Sequence, residues 1–142
     1  MKHIFWGIAL LLTQTITAQK WSTPRIESYG KIHFDKNLSF QPDINKTYKL
    51  VFNIDNDAQK EGVNMRLWKI ARELNLLKAA GVPDQNIEIA AVVHGKAIAI
   101  SLTDKAYKKR YHKKNPNTDL VKALNNAGVK LYLCEQTLAG MN

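Results

Sequence analysis

Val129-Lys130-Leu131-Tyr132-Leu133-Cys134-Glu135-Gln136-Thr137 is the stretch on which the fold turns. A run of β-branched and apolar residues stops at the chain's only cysteine, and polar residues and then Leu138-Ala139 follow. That order reads as a strand handing over to a helix, with the thiol at the turn between them. In α/β sheets such turns hold ligands. Two fates are open to Cys134 at this point. It is either a small buried hydrophobe, as free cysteines commonly are, or a chemical group presented at the strand's end.

Working outward, Gly128 ends a helix expected from Asn117 or Thr118 to Ala127, with Leu120, Val121 and Leu124 on its inner face. Before it, Lys105 to Lys114 is the most basic stretch, interleaved with Tyr107, Tyr111 and His112 and halted by Asn115-Pro116-Asn117. Ala97 to Leu102 alternates with period two, yet a short helix after Gly95 accommodates the same residues, so its type stays open. Ile87 to Val93 is apolar at nearly every position, the pattern of a strand covered by helices on both faces, and it ends in His94-Gly95. A long amphipathic helix is expected over roughly Gln59 to Ala80. Leu67, Ile70, Ala71, Leu74 and Leu77 form its core stripe, Gly81 its cap and Pro83 its stop. Trp68 beside that stripe reads as packing. Tyr48 to Ile54 makes the first core strand, closed by Asp55-Asn56-Asp57. Gln19 to Lys46, punctuated by Pro24, Gly30 and Pro42, is an irregular extension draped on the domain.

Strand, helix, strand, connection with helix, strand builds a parallel sheet with right-handed crossovers. All strand C-termini then lie along one rim. Asp55, Asp57, His94, Gly95, Cys134, Gln136 and Thr137 fall there together, which makes Cys134 and His94 the candidate chemical pair and the others candidate binding groups. A helix N-terminus after the strand lowers a thiol's pKa, Glu135 raises it, and His94 favours the thiolate if it reaches across the rim. The alternative for His94 is a strand-end ring bonded to backbone.

The ends and the charge bound the setting. The 142 residues are one domain's worth. Lys2, the apolar run Ile4 to Leu12 and the small, polar Thr13 to Ala18 follow the order of a secretory signal peptide, with cleavage expected after Ala18. The run is too short to span a bilayer. The mature protein is therefore expected to be periplasmic or secreted, with no transmembrane segment. Losing residues 1–18 removes only Lys2 from the formal count, so the charge falls from +9 to +8. A lone cysteine excludes an internal disulfide. No spacing matches a metal motif, and neither a phosphate-cradling loop, a dinucleotide fingerprint nor a serine-hydrolase motif is present. No cofactor is expected. The basic run is a solvated surface or a footprint for an anionic partner, with Tyr107 and Tyr111 available for stacking; nucleic acid is not an expected partner of an exported protein.

Taken in order, Lys49 to Asn53, Leu74-Asn75-Leu76, Ala80-Gly81-Val82, Val92-Val93-His94-Gly95, Asn115-Pro116-Asn117, Ala127-Gly128-Val129 and Cys134-Glu135-Gln136-Thr137-Leu138 resemble the DsrE-like (DsrE/DsrF, sulfur-relay) family. The resemblance covers about residue 49 to the end. It implies a three-layer α/β/α sandwich on a mainly parallel five-stranded sheet, usually in homo-oligomers, and sulfur carried as a persulfide on a cysteine. Close relatives often have glycine where Glu135 stands. The family also continues with a final strand–helix–strand portion, so the domain, residues 47–142, is expected to lack the last part of the sheet. Either the sequence is a fragment, or a partner chain completes the sheet, or this version folds poorly; the first is favoured because three strands alone would expose an edge and an uncovered face. Two functions follow. One is thiol or persulfide transfer through Cys134 with a sulfur-donor or acceptor partner. The other is a non-catalytic oligomeric module that binds an anionic partner or small ligand, with Cys134 structural.

Overall fold

The computed structural model describes residues 20–140. The signal-peptide reading of residues 1–18 therefore lies outside the described residues. Three strands form the main sheet: β1 (Tyr48–Ile54), β4 (Ile87–Val93) and β5 (Lys130–Leu133), parallel throughout and ordered β1-β4-β5. Between β1 and β4 lie a hairpin of β2 (Gln59–Lys60) and β3 (Val63–Asn64) and the helix α1 (Met65–Ala79). Between β4 and β5 come a 3₁₀ segment (Gly95–Ser101), α2 (Asp104–Tyr111) and α3 (Thr118–Asn126); α4 (Glu135–Ala139) follows β5. This is the mainly parallel α/β architecture expected from the alternation of elements.

Both crossovers step the same way across the sheet, so two right-handed connections place their helices on one face. There, Ile54, Ile89, Ala91 and Val93 meet Leu67, Ile70, Ala71 and Leu74 of α1 and Leu120 and Leu124 of α3 in a single core. Each of the Val, Leu and Ile side chains contributes about 1.5–3 kcal/mol on full burial. The register Val51↔Ala90↔Lys130 and Asn53↔Val92↔Tyr132 sends these six residues to the opposite face. That face is open among the described residues: Val51 is 78 % exposed and Tyr132 53 %. The apolar run Ile87 to Val93 thus has one covered face, not the two that its composition suggests. Among the described residues the sheet carries one helical layer, and its other side is left open.

Other expectations needed correction. The helix begins at Met65, six residues after Gln59, because Glu61 (φ 50°) and Gly62 (φ 84°) form a tight turn that pairs β2 with β3. Asn64 then caps α1, its Oδ1 accepting from the amides of Arg66 and Leu67 at 2.9 and 3.3 Å. At the far end Gly81 (φ 85°) takes the left-handed cap, and the amides of Gly81 and Val82 close on Lys78 and Leu77. The undecided residues Ala97 to Leu102 fall largely within the 3₁₀ segment, burying Ala97, Ile98 and Ile100.

Residues 20–46 run without helix or strand apart from one antiparallel bridge, Ser22↔Ile32. They are held by a side chain from α1. Asn75, fully buried, accepts the amides of Arg25 and Ile26 at 2.8 Å each and donates to the carbonyls of Tyr29 and Gly30 at 2.9 and 3.0 Å. Every hydrogen-bonding position of its amide is used. Gly30 lies so close to α1 that a Cβ there would sit 2.2 Å from the Arg72 amide nitrogen.

Candidate functional site

The parallel ladder continues one step past the strands. The His94 amide donates to the Ile54 carbonyl and the Cys134 amide to the Val93 carbonyl, both at 2.9 Å. Asp55, His94 and Cys134 therefore sit side by side as the first residues beyond β1, β4 and β5. Gly95 makes the close approach possible: at φ +55° a Cβ would stand 2.8 Å from the Asp55 carbonyl oxygen. Its amide donates to Thr137 Oγ1 at 3.3 Å, which docks the start of α4 against the end of β4.

Cys134 is half-buried and is the N-cap of α4. Its pKa is lowered from the ordinary thiol value. The largest cause is a hydrogen bond from the Thr137 side chain, supported by the amides of Thr137 and Gln136. Partial burial and the Glu135 carboxylate push the other way. Thr137 thus decides a balance that Glu135 alone would tip against the thiolate. Its hydroxyl accepts from Gly95 and has its own proton to give to sulfur, so the glycine after His94 is coupled to the thiol through one oxygen.

His94 is turned elsewhere. Its Nε2 lies 2.6 Å from Asn53 Oδ1, on the neighbouring strand β1, and it is not among the groups that shift the thiol. With Asn53 Oδ1 as acceptor, Nε2 carries the proton in that contact. Asp55 accepts from Asn56 Nδ2 at 2.7 Å and faces Arg66 at 3.9 Å, a half-exposed pair worth under about 1 kcal/mol. Arg66 Nε is buried with no partner among the described residues. Asp57 is separate again. It lines a cavity of about 30 Å³ with Lys96, Tyr107 and Asn117, room for roughly one water. The rim therefore divides into a thiol group (Gly95, Cys134, Gln136, Thr137), a His94–Asn53 pair and a carboxylate side. Among the described residues no three His, Cys, Asp or Glu side chains converge as metal ligands.

An asparagine network that the sequence reading did not single out fixes the loops behind the rim. Asn117 Oδ1 accepts the Asn64 amide at 2.6 Å, and Asn64 Nδ2 donates to the Asn56 carbonyl at 2.8 Å. Asn115 Nδ2 donates to the carbonyls of Ile100 and Leu102, while its Oδ1 accepts from the Asn117 amide and side chain. Asn117 precedes α3 without making a side-chain cap bond, because its carboxamide is spent on this network. The basic run forms α2 with its lysines outward, but Tyr107 is buried and packs on Tyr111 at 4.5 Å between centroids. Tyr107 is therefore not available for stacking on a ligand; Tyr111 is 40 % exposed. No helix among the described residues is long and apolar enough to cross a membrane.

A parallel α/β sheet that gathers a half-buried thiol, a histidine and a glycine turn at its C-terminal rim defines an open-sheet α/β protein with its chemistry at the strand ends. The chain belongs to the DsrE/DsrF-like family, whose family model matches residues 49–142. No curated protein and no solved structure matches it. The family is generally linked to sulfur relay.

Proposed function

We propose that this protein is an exported member of the family, released after Ala18, that carries sulfur on Cys134 as a homo-oligomer. The observation that carries the reading is the placing of a partly exposed thiol at the strand end, as the N-cap of α4, on a turn that Thr137 Oγ1 anchors to the Gly95 amide; the lowered pKa of Cys134 agrees with it. Only the thiolate attacks sulfur. In the step proposed, Cys134 Sγ⁻ attacks the terminal sulfur of a donor persulfide, R–S–SH. A new S–S bond forms, the donor's S–S bond breaks, and the electron pair leaves with R–S⁻. The products are a Cys134 persulfide and a donor thiolate, with no external oxidant or reductant. For His94 to exchange a proton at the rim in this reading, its ring has to leave the contact with Asn53. The open face of the sheet offers the surface on which a second copy can pack.

Intact-mass spectrometry after exposure to polysulfide tests this. The expected result is addition of sulfur to the wild type and none to Cys134→Ser. Absence of addition at the accessible thiol would refute the carrier role. An unchanged rate in His94→Gln would remove the histidine from the step. The second reading, a binding module with Cys134 structural, rests on the outward cations of α2, Lys105, Lys108 and Lys109. It predicts adsorption to anionic vesicles that disappears when Lys108, Lys109, Arg110 and Lys113 are neutralised.

A further inference from the structure

Away from the rim, three separated pieces of chain enclose a second concavity of about 350 Å³, lined by Trp21, Lys31, Lys60, Glu61, Trp68 and Arg72. The antiparallel Ser22↔Ile32 bridge, with both amide–carbonyl bonds at 2.9 Å, sets Trp21 opposite His33 and leaves Lys31 on the same side of the pair, diagonal to Trp21. The β2–β3 hairpin contributes Lys60 and Glu61, and one turn of α1 contributes Trp68 and Arg72. Gly30's close contact with the Arg72 backbone locks the first piece to the third. The wall is therefore built from the fold, not from a single mobile loop.

The chemistry of the lining is lopsided. Three cations face one carboxylate, and Glu61 is already engaged, its Oε2 accepting the Trp68 indole N–H at 3.1 Å. Among the described residues neither Lys31, Lys60 nor Arg72 belongs to an ion pair. What holds two of them is the buried Trp68 ring, with Lys60 Nζ 5.3 Å and Arg72 Cζ 4.9 Å from its centroid. Cation–π contact gathers the charges without neutralising them. Trp21, the other indole, is 54 % exposed and touches His33 edge-on, at 6.4 Å and 63°. A flat apolar surface and unneutralised positive charge thus share one concavity. An inorganic anion satisfies the charge and leaves Trp21 uncovered, whereas a neutral ring does the reverse.

We propose that this concavity binds a small aromatic carboxylate or sulfonate, its ring stacked on Trp21 and its anionic group among Lys31, Lys60 and Arg72. The volume lies at the lower end of the range of about 300–1,000 Å³ usual for ligand sites, which suits one or two fused rings. The site is independent of Cys134.

The test is calorimetric titration of the full chain at low salt with naphthalene-2-sulfonate, against naphthalen-2-ylmethanol and inorganic sulfate as comparators. The expected result is saturable binding of the sulfonate, at least about tenfold tighter than either comparator and weakened at least about tenfold in Lys31→Gln/Lys60→Gln and in Trp21→Ala. Raising the salt should weaken it further. These side chains are at the surface, and far-UV circular dichroism with a thermal midpoint confirms that the variants fold. No binding at millimolar sulfonate, affinity indifferent to the double lysine substitution, or sulfate bound as tightly as the aromatic anion would each overturn the proposal.

Discussion

Replacing Asn75 by alanine should do more damage than any surface substitution, although Asn75 lies outside the rim. Its carboxamide satisfies two amides and two carbonyls of residues 25–30 at 2.8 to 3.0 Å, all of them local to a segment with no ladder of its own. At about 1 kcal/mol net per neutral hydrogen bond the four sum to about 4 kcal/mol, and each group left buried and unpaired adds to the loss. Detachment of the segment to reach water limits the penalty but gives up the burial of Ile26 and Ile32, at 2 % and 1 % exposure. The expected loss is about 3–5 kcal/mol, a large part of the roughly 5–15 kcal/mol typical of a domain. Urea unfolding measures it, and hydrogen exchange at the Arg25 and Ile26 amides reports where it acts. Asn75→Asp keeps both amide bonds but turns a carboxylate oxygen toward two carbonyls. Its folded-state pKa is then raised, so this variant should recover stability as the pH falls and lose it as the pH rises. A loss below about 1 kcal/mol in Asn75→Ala, with the Arg25 and Ile26 amides still protected, would refute the reasoning.

Three further outcomes follow from the same geometry. Alkylation of Cys134 by iodoacetamide should accelerate with pH through an inflection below that of an ordinary thiol; Thr137→Val should move the inflection up, and Glu135→Gln should move it down. Gly95→Ala should cost at least about 1–2 kcal/mol from its left-handed backbone, with the 2.8 Å approach to Asp55 adding to it, measured as a fall in the urea midpoint. Glu73 has its pKa raised by burial, so its ionised form opposes folding. Stability from this group is present at acid pH and lost as pH rises through its folded-state pKa; Glu73→Gln should therefore stabilise at pH 7 and have no effect in acid.

What could be read without the structure is what short-range pattern encodes. The core stripe of α1, the left-handed glycines at 81 and 128 and the three parallel strands are each written within a dozen residues. So is the gathering of Asp55, His94 and Cys134, which follows once the strands are parallel. The side of the sheet left open among the described residues was not legible in Ile87–Val93, because Ala90 and Val92 are apolar whether or not anything covers them. The hairpin before α1 was missed because two-residue strands carry no periodicity; Glu61-Gly62 was its only signal. The work of Asn75, Asn64, Asn115 and Asn117 depends mostly on partners up to 53 residues away, which no local pattern reveals. The same holds for the His94 contact with Asn53 and for the hydroxyl that Thr137 lends to the thiol.

The thiol's own strand is short and one-sided. β5 pairs through four residues, against seven in the β1–β4 ladder, and among the described residues only β4 borders it. Local opening is cheapest where few hydrogen bonds and little buried apolar surface must be given up, and Tyr132 and Leu133 are already half in solvent. Cys134 thus hangs on the part of the sheet that can peel away while the rest stays folded. In the proposed sulfur-carrier role a bulky donor would be met by a brief fraying of this strand, and amide exchange in β5 should run ahead of β4 by as much as that fraying allows.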